Sequence, residues 1–233
     1  MGLRAIQSTA RTLSYYTKLQ ALTANNLANS DTEAFKADVM TGHRIGAATW
    51  PVPVQQTDLA QGAITPTGRD LDIALDGSGF LVLQTPNGER LSRNGSLALD
   101  GANRLADRHG NLLMGENGPI AIPIRYSKLE IQASGDVVVD GTRLDRLRME
   151  TVEDPHTLLK EGAGQYKTNS ATIPVDVTGT VLRQGSTEDS NQDTLHGIVD
   201  LVTIQRAYAA NVDSLKALDS VLGNVVNEVG KVS

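Results

Sequence analysis

Between Leu195 and Val229 one pattern limits what this chain can become. Leu201, Ile204, Tyr208, Asn211, Leu215, Leu218, Leu222, Val225 and Val229 are spaced by alternating intervals of three and four residues, and only Asn211 is not apolar. That is the a/d seam of a left-handed coiled coil, too narrow a stripe to wrap a broad globular core. A helix over this run would be a rod of roughly 50 Å at about 1.5 Å per residue. Such a seam needs a second helix. At the other end of the chain Leu3, Ile6, Ala10, Leu13, Thr17, Gln20, Ala24 and Leu27 follow the same heptad. The expectation is an α+β protein whose N- and C-terminal helices pair as a coiled-coil-like domain, with a central all-β domain inserted between them. Residues 1–40 and 186–233 would form the helical domain, 41–70 an extended linker, and 71–185 the β domain.

The chain has 233 residues, a formal charge of -6 and no cysteine. Its 21 Lys and Arg residues are spread along the sequence. No basic stripe is dense enough to neutralise a phosphate backbone, which argues against nucleic acid as a partner. Without cysteine there are no disulfides, thiolate metal sites or cysteine nucleophiles, and the chain meets oxidising surroundings with no risk of mispairing. Aromatics are only 3 %, so a core must be filled by Leu, Ile, Val and Ala. Arg4, Arg11 and Lys18 interrupt the first thirty residues, which therefore lack the apolar run of a secretory signal. No stretch approaches the ~20 apolar residues of a membrane span.

Taken in order, residues 2–29 read as one helix until Asn25, Asn26 and Asn29. Their amides compete for backbone partners, so they mark either a fraying end or lateral hydrogen bonds to a neighbouring chain. Ser30 to Glu33 could be a capping box opening a short second helix over Ala34–Met40, or a loop anchored by Phe35. From Thr41 to about Arg69 glycines and prolines punctuate a polar stretch that holds Trp50, the one tryptophan. It serves either as an intermolecular anchor or as a local cover.

From Leu71 the periodicity changes. Leu71–Leu75 and Phe80–Gln84 read as strands, Pro86-Asn87-Gly88 carries the Asn-Gly hairpin signal, and further turns follow at intervals of about 8–12 residues. Ile173 to Val177 reads as an edge strand because of Pro174. Ser190 as N-cap with Asp193 at N3 would start the final helix.

Sites for chemistry are scarce. His43, His109, His156 and His196 lie far apart and share no ligand spacing. Asp70, Asp72 and Asp76 read as an outward polar face rather than a cation loop, since Leu75 stands where a calcium loop needs glycine. Gly77-Ser78-Gly79 fits neither a nucleophile elbow, which wants glycines where Asp76 and Phe80 stand, nor a dinucleotide fingerprint, which wants glycine at Val82. A turn using φ > 0 between two strands is the simpler reading. No catalytic, metal or cofactor residue is assigned.

Five stretches nevertheless carry a resemblance. Residues 24–36, Ala-Asn-Asn-Leu-Ala-Asn-Ser-Asp-Thr-Glu-Ala-Phe-Lys, are similar to the N-terminal signature ANNLANxxTxGFK of flagellar rod and hook proteins. Residues 71–80, LDIALDGSGF, resemble the LDvAIxGxGF entry to that family's β domain. Ser92 to Leu97 resembles its TRxGSF strand. Glu188, Ser190, Asn191 and Asp193 sit where ExSNVD is expected, and Gln205-Arg206-Ala207-Tyr208 with Asn211 matches QRAYxxN. Three departures stand out. Ala34 replaces a glycine, which implies a milder bend there. Gln192 replaces valine, and Gly197-Ile198 replaces Glu-Met. Within the family the chain resembles the proximal rod protein F type, with the distal G type next.

The resemblance implies a structural, non-enzymatic subunit of the basal-body rod, located in the periplasm and exported through the flagellar type III apparatus without a cleaved signal. It implies copies of itself, other rod and hook-basal body proteins and the export apparatus as partners, with no nucleic acid and no direct membrane insertion. The assembly interface would comprise Leu3, Ile6, Leu13, Asn25, Asn26, Leu27, Asn29, Phe35, Leu201, Ile204, Gln205, Arg206, Tyr208, Asn211, Leu215, Leu218 and Leu222.

Overall fold

Two helices lie at the ends of the chain and short antiparallel strands fill the middle. The computed structural model describes residues 2–43, 52–175 and 179–229. Trp50 and the Asp176-Val177 end of the expected edge strand lie outside the described residues. The chain divides into two compact units. One comprises residues 1–28, 38–56 and 193–233, the other residues 29–37 and 57–192.

The first unit holds helix α1, Gly2–Ala28, helix α2, Thr194–Val229, and a two-stranded sheet of Asp38–His43 and Val52–Thr57. α1 packs on both α2 and the 38–43 strand. α2 starts one cap later than the sequence suggests. Asp193, not Ser190, is the N-cap, its Oδ1 accepting from the His196 amide at 3.0 Å, while Ser190 Oγ accepts from Gln192.

The coiled-coil-like pairing expected of the termini is not what this unit forms. On α2 the phase is as expected, with Gly197 and Ile204 buried and Leu201, Asn211, Leu215 and Leu218 half-buried. On α1 the expected seam holds only at every second position. Ile6, Leu13, Gln20 and Leu27 are half-buried, but Ala10, Thr17 and Ala24 are exposed, and Thr23 and Asn26 are buried with Thr12, Tyr16 and Leu19 half-buried in their place. A face that mixes Thr12, Tyr16, Gln20, Thr23 and Asn26 with its leucines lacks the regular apolar knobs that a coiled coil requires. Part of α1 is instead committed to strand 38–43. Asn26 Nδ2 donates to the Asp38 carbonyl at 2.8 Å and its Oδ1 accepts from the Asp38 amide at 3.0 Å.

The second unit is built around the strand Phe80–Thr85, whose two faces are both buried. Alternation sends Leu81 and Leu83 into the larger core with Ile73, Leu75, Leu97, Leu105, Leu113 and Leu147, and Phe80 and Val82 into a smaller one with Leu91, Val152, Leu158 and Tyr166. The main sheet runs Leu159–Gly162, Gln165–Lys167, Gly88–Ser92, Phe80–Thr85, Leu112–Gly115, Leu105–Asp107 and Leu97–Leu99 in spatial order. The 80–85 and 88–92 strands pair through Thr85 opposite Gly88. Pro86 has a fixed negative φ, so this turn cannot be the type I′ form that Asn-Gly favours. Gly88, at φ 97, takes the left-handed position instead. Thr180–Gln184 pairs with Ile73–Gly77, and Ser186–Glu188 with Ile64–Pro66, so the last strands of the unit close on the first. Ser30 to Glu33 forms turns rather than a helix. Asp72 is buried, not outward, and accepts from Thr67 Oγ1 at 2.7 Å and Ser96 Oγ at 3.2 Å.

A three-stranded sheet of Leu129–Ile131, Asp136–Val139 and Thr142–Arg146 carries a compact charge cluster. Hydrogen bonds from Arg146 and Ser134 hold the Asp136 carboxyl down to about 2, below its ordinary 3.8. A depressed acid stabilises the fold above its ordinary range and loses that contribution as pH falls through the lowered value. A carbon-detected NMR titration should therefore place the Asp136 midpoint near 2, and Arg146→Ala should move it up towards 3.8.

Candidate functional site

In the β unit, residues from three of the family-like motifs meet at one buried point. Lys36 and Glu188, 152 residues apart, form an ion pair whose side chains are both fully buried. The Lys36 ammonium also donates to the Ala60 carbonyl at 2.7 Å. Glu188 Oε1 accepts from the Gly62 amide at 3.0 Å, and its Oε2 lies 3.4 Å from Arg93 Nε. Arg93 is itself buried, donating to the carbonyls of Gly77 at 2.8 Å and Gly79 at 2.9 Å. Burial pulls the Lys36 ammonium below its ordinary value, and the hydrogen bond to Glu188 opposes that pull. Two cations on one carboxylate, with carbonyls taking further donors, keep the charges paired where water is excluded.

Around this pair the backbone is tied by Asn191. Its Oδ1 accepts from the Ala37 amide at 2.7 Å and its Nδ2 donates to the carbonyls of Asp58 at 2.9 Å and Ala60 at 3.1 Å. The Ala34 amide donates to the Glu188 carbonyl at 2.7 Å, and Lys160 Nζ sits 4.0 Å from the Phe35 ring centroid while donating to the Lys36 carbonyl. Phe35 is thus an internal anchor of the β unit. Ala34 adopts φ 55, the left-handed region that glycine takes without penalty. The bend is retained, not softened, and the alanine bears its strain. The Lys36–Glu188 pair was not among the expected site residues. Its signal was present in the sequence, since both residues stand at motif positions, but nothing in the spacing shows that positions so far apart meet.

The helical unit holds most of the expected assembly residues. Ile6, Leu13, Leu27, Leu201, Asn211, Leu215 and Leu218 are half-buried, Ile204 and Asn26 are buried, and Asn25, Gln205 and Arg206 are exposed. Tyr208 is 36 % exposed, so its ring is only partly covered. Asn211 Nδ2 donates to the Ala207 carbonyl of its own helix at 2.8 Å. The side chains of Leu3 and Leu222 lie outside the described ones. Asn29 belongs to the β unit, where its carbonyl accepts from the Thr32 amide at 3.1 Å. Beside α1, a cavity of about 510 Å³ is lined by Lys18, Ala21, Leu22, Asn25, Asp38, Met40, Pro53 and Gln55. Among the described residues no cluster of His, Asp or Glu is placed to hold a metal ion, and no helix is long and apolar enough to cross a membrane.

Comparison with known proteins bears on what these parts are. Residues 74–139 match the flagellar hook protein FlgE/F/G D1 domain, and residues 183–228 the flagellar basal body rod FlgEFG protein C-terminal region. The flagellar basal-body rod protein FlgF of Caulobacter vibrioides is 30 % identical, over 91 % of this chain and 92 % of its own length. The chain belongs to the flagellar basal-body rod protein family. Two other rod-family relatives are FlgG of Buchnera aphidicola, 29 % identical over 85 % of this chain and 89 % of its own, and FlgF of Escherichia coli, 26 % identical over 88 % and 89 %. Of these three, a rod protein of the F type has the highest identity. The rod-family matches span both the strand that carries Glu188 and the whole described face of α2.

Two measurements follow from the buried pair and the strained alanine. Lys36→Met and Glu188→Gln should each destabilise the fold by about 3–5 kcal/mol in urea titrations, and the double variant by clearly less than their sum. Ala34→Gly should raise stability by roughly 0.5–1 kcal/mol by relieving the left-handed alanine.

Proposed function

We propose that this chain is a structural subunit of the bacterial flagellar basal-body rod, of the proximal F type, and that it acts through contacts rather than chemistry. The observation that carries the reading is the full-length match to rod proteins: more than nine-tenths of the chain aligns with the Caulobacter FlgF protein. The helical unit supports it. A half-buried seam over Leu201, Leu215 and Leu218, with Tyr208 partly open, leaves apolar surface for neighbouring subunits to cover. The partners in this reading are copies of the same chain, other rod and hook-basal body proteins and the flagellar export apparatus. The site of action is the periplasmic rod between the inner-membrane ring and the hook, reached by export without a cleaved signal. The helical unit bears the subunit contacts, and the β unit, with its own two cores, folds independently of them. A distal position is the second reading, favoured by the match to FlgG over 85 % of the chain.

Leu215→Asp together with Leu218→Asp should abolish incorporation into basal bodies and swimming when the variant replaces the chromosomal copy. The β-unit circular dichroism of the purified variant should stay unchanged. Normal rods built from the variant would refute assembly through this helix.

A further inference from the structure

Where glycine follows asparagine or aspartate, its backbone nitrogen can close on the preceding side-chain carbonyl, because no Cβ shields it. The chain has Asn-Gly at Asn87, Asn94 and Asn117, and Asp-Gly at Asp76, Asp100 and Asp140. Closure needs the side chain to swing towards the next residue, and every pair but one is held elsewhere. Asn94 Oδ1 accepts from the Ser96 amide at 2.9 Å, and Gly95 is packed so closely that an added Cβ would lie 1.8 Å from the Ile73 carbonyl. Asn117 Nδ2 donates to Asp145 Oδ1 at 2.9 Å. The carboxylates of Asp76, Asp100 and Asp140 accept from the Arg183 guanidinium at 2.6 Å, the Arg104 amide at 2.8 Å and the Lys128 amide at 2.9 Å. Asn87 differs. It is exposed in the turn between Phe80–Thr85 and Gly88–Ser92, and among the described residues only its backbone is hydrogen-bonded. Its amide donates to Thr85 Oγ1 at 3.1 Å and its carbonyl accepts from Arg90 Nη1 at 3.1 Å. The space beside Gly88 is open, with Arg90 Nη1 3.8 Å from where a Cβ would stand.

We propose that Asn87 is a site of spontaneous deamidation and that Arg90 directs the product to isoaspartate. The Gly88 nitrogen attacks Asn87 Cγ. A Cγ–N bond forms, the Cγ–Nδ2 bond breaks, and the side-chain nitrogen leaves as ammonia, taking the proton that the Gly88 nitrogen gives up. The product is a cyclic succinimide, which water opens at either carbonyl. Attack at Cγ yields aspartate. Attack at the backbone carbonyl carbon yields isoaspartate, in which the chain runs through Cγ and the former backbone carbonyl becomes a carboxylate. Arg90 Nη1 already donates to that backbone oxygen. A permanently charged guanidinium there stabilises the oxyanion formed as water adds, and then pairs with the new carboxylate. The group is pre-positioned, since Nε donates to Glu161 Oε2 at 2.6 Å and Nη1 to the Glu89 carbonyl at 2.8 Å. Thr85 Oγ1, which also donates to the Gly88 carbonyl at 2.7 Å, clamps the turn and slows closure relative to an unfolded chain. The change adds a negative charge and lengthens the backbone of the turn that joins two neighbouring strands of the main sheet. The site goes beyond the rod-subunit reading and stands without it.

The test is incubation of the purified full-length chain at mildly alkaline pH, folded in buffer and unfolded in guanidinium chloride, with peptide mass mapping at intervals. Electron-transfer fragmentation separates isoaspartate from aspartate. In the folded chain the Asn87 peptide should gain the mass of an amide-to-acid exchange while the Asn94 and Asn117 peptides stay unchanged. In the unfolded chain all three should convert. Folded Asn94 or Asn117 converting as fast as Asn87 would overturn the site, as would a folded Asn87 that stays intact once the unfolded sample has fully converted. The isoaspartate share at position 87 should be higher in the folded chain than in the unfolded one. Arg90→Met, with folding verified by circular dichroism, should bring that share down to the unfolded level. Equal shares in the folded and unfolded unmodified chain would overturn the role of Arg90 without recourse to the variant.

Discussion

A lysine ammonium taken out of water is tolerated only where a counter-charge and further acceptors replace its hydration, and Lys36 obtains these from Glu188 and the Ala60 carbonyl. The arrangement is demanding, because Glu188 must also accept from Gly62 and face Arg93. Those residues come from segments early, middle and late in the sequence, and each arrives with its backbone already constrained. Ala34 is turned into the left-handed region, Gly62 passes so close to the Asp189 carbonyl that an added Cβ would lie 2.0 Å from it, and Arg93 is held by two carbonyls of the Gly77–Gly79 turn. Buried ion pairs of this kind add little net stability over apolar packing, yet they penalise misplacement heavily. The pair therefore acts as a gauge of register for the closing strands 64–66 and 186–188.

The helical unit is governed by the opposite circumstance, a shortage of internal satisfaction. α1 turns a mixed apolar and polar face inward and α2 a heptad seam, so the two do not complete each other as matched coiled-coil strands do. What remains is surface with defined chemistry: partly covered leucines on α2 and a hollow beside α1. For an isolated globular domain this would be a defect. For the rod subunit proposed above, it is surface that a neighbouring subunit can cover.

Legibility in the sequence followed the strength of the physical signal at each place. The α2 seam is readable because Leu201, Ile204, Leu215 and Leu218 hold heptad positions without a slip. On α1 the seam is legible only at Ile6, Leu13 and Leu27, because Ala10, Thr17 and Ala24 between them are small residues that fit an inward or an outward face equally well. Strand 80–85 was plain from its apolar run, but its hairpin type was not, since Pro86 overrides the Asn-Gly preference. Asp72 was expected to face water as carboxylates usually do. It was buried by Thr67 and Ser96, whose proximity no local pattern encodes. The strands at 38–43 and 52–57 escaped notice because Pro and Gly around them mimic loop chemistry. The motif positions of Lys36, Arg93, Glu188 and Asn191 marked them as family-like while leaving their reason hidden: they matter to one another, through space.

The separation of 152 residues between Lys36 and Glu188 has a temporal side. A chain delivered one end first presents its lysine long before the glutamate exists alongside it, and no local substitute can fill that place. Closure of the β unit thus waits on nearly the whole polypeptide, as expected of a topology whose key contact is so distant in sequence. Until that moment the N-terminal half carries an uncompensated cation and cannot settle into its final packing. The same contact that sets the register of the finished unit also reports that the chain has arrived as far as the strand carrying Glu188.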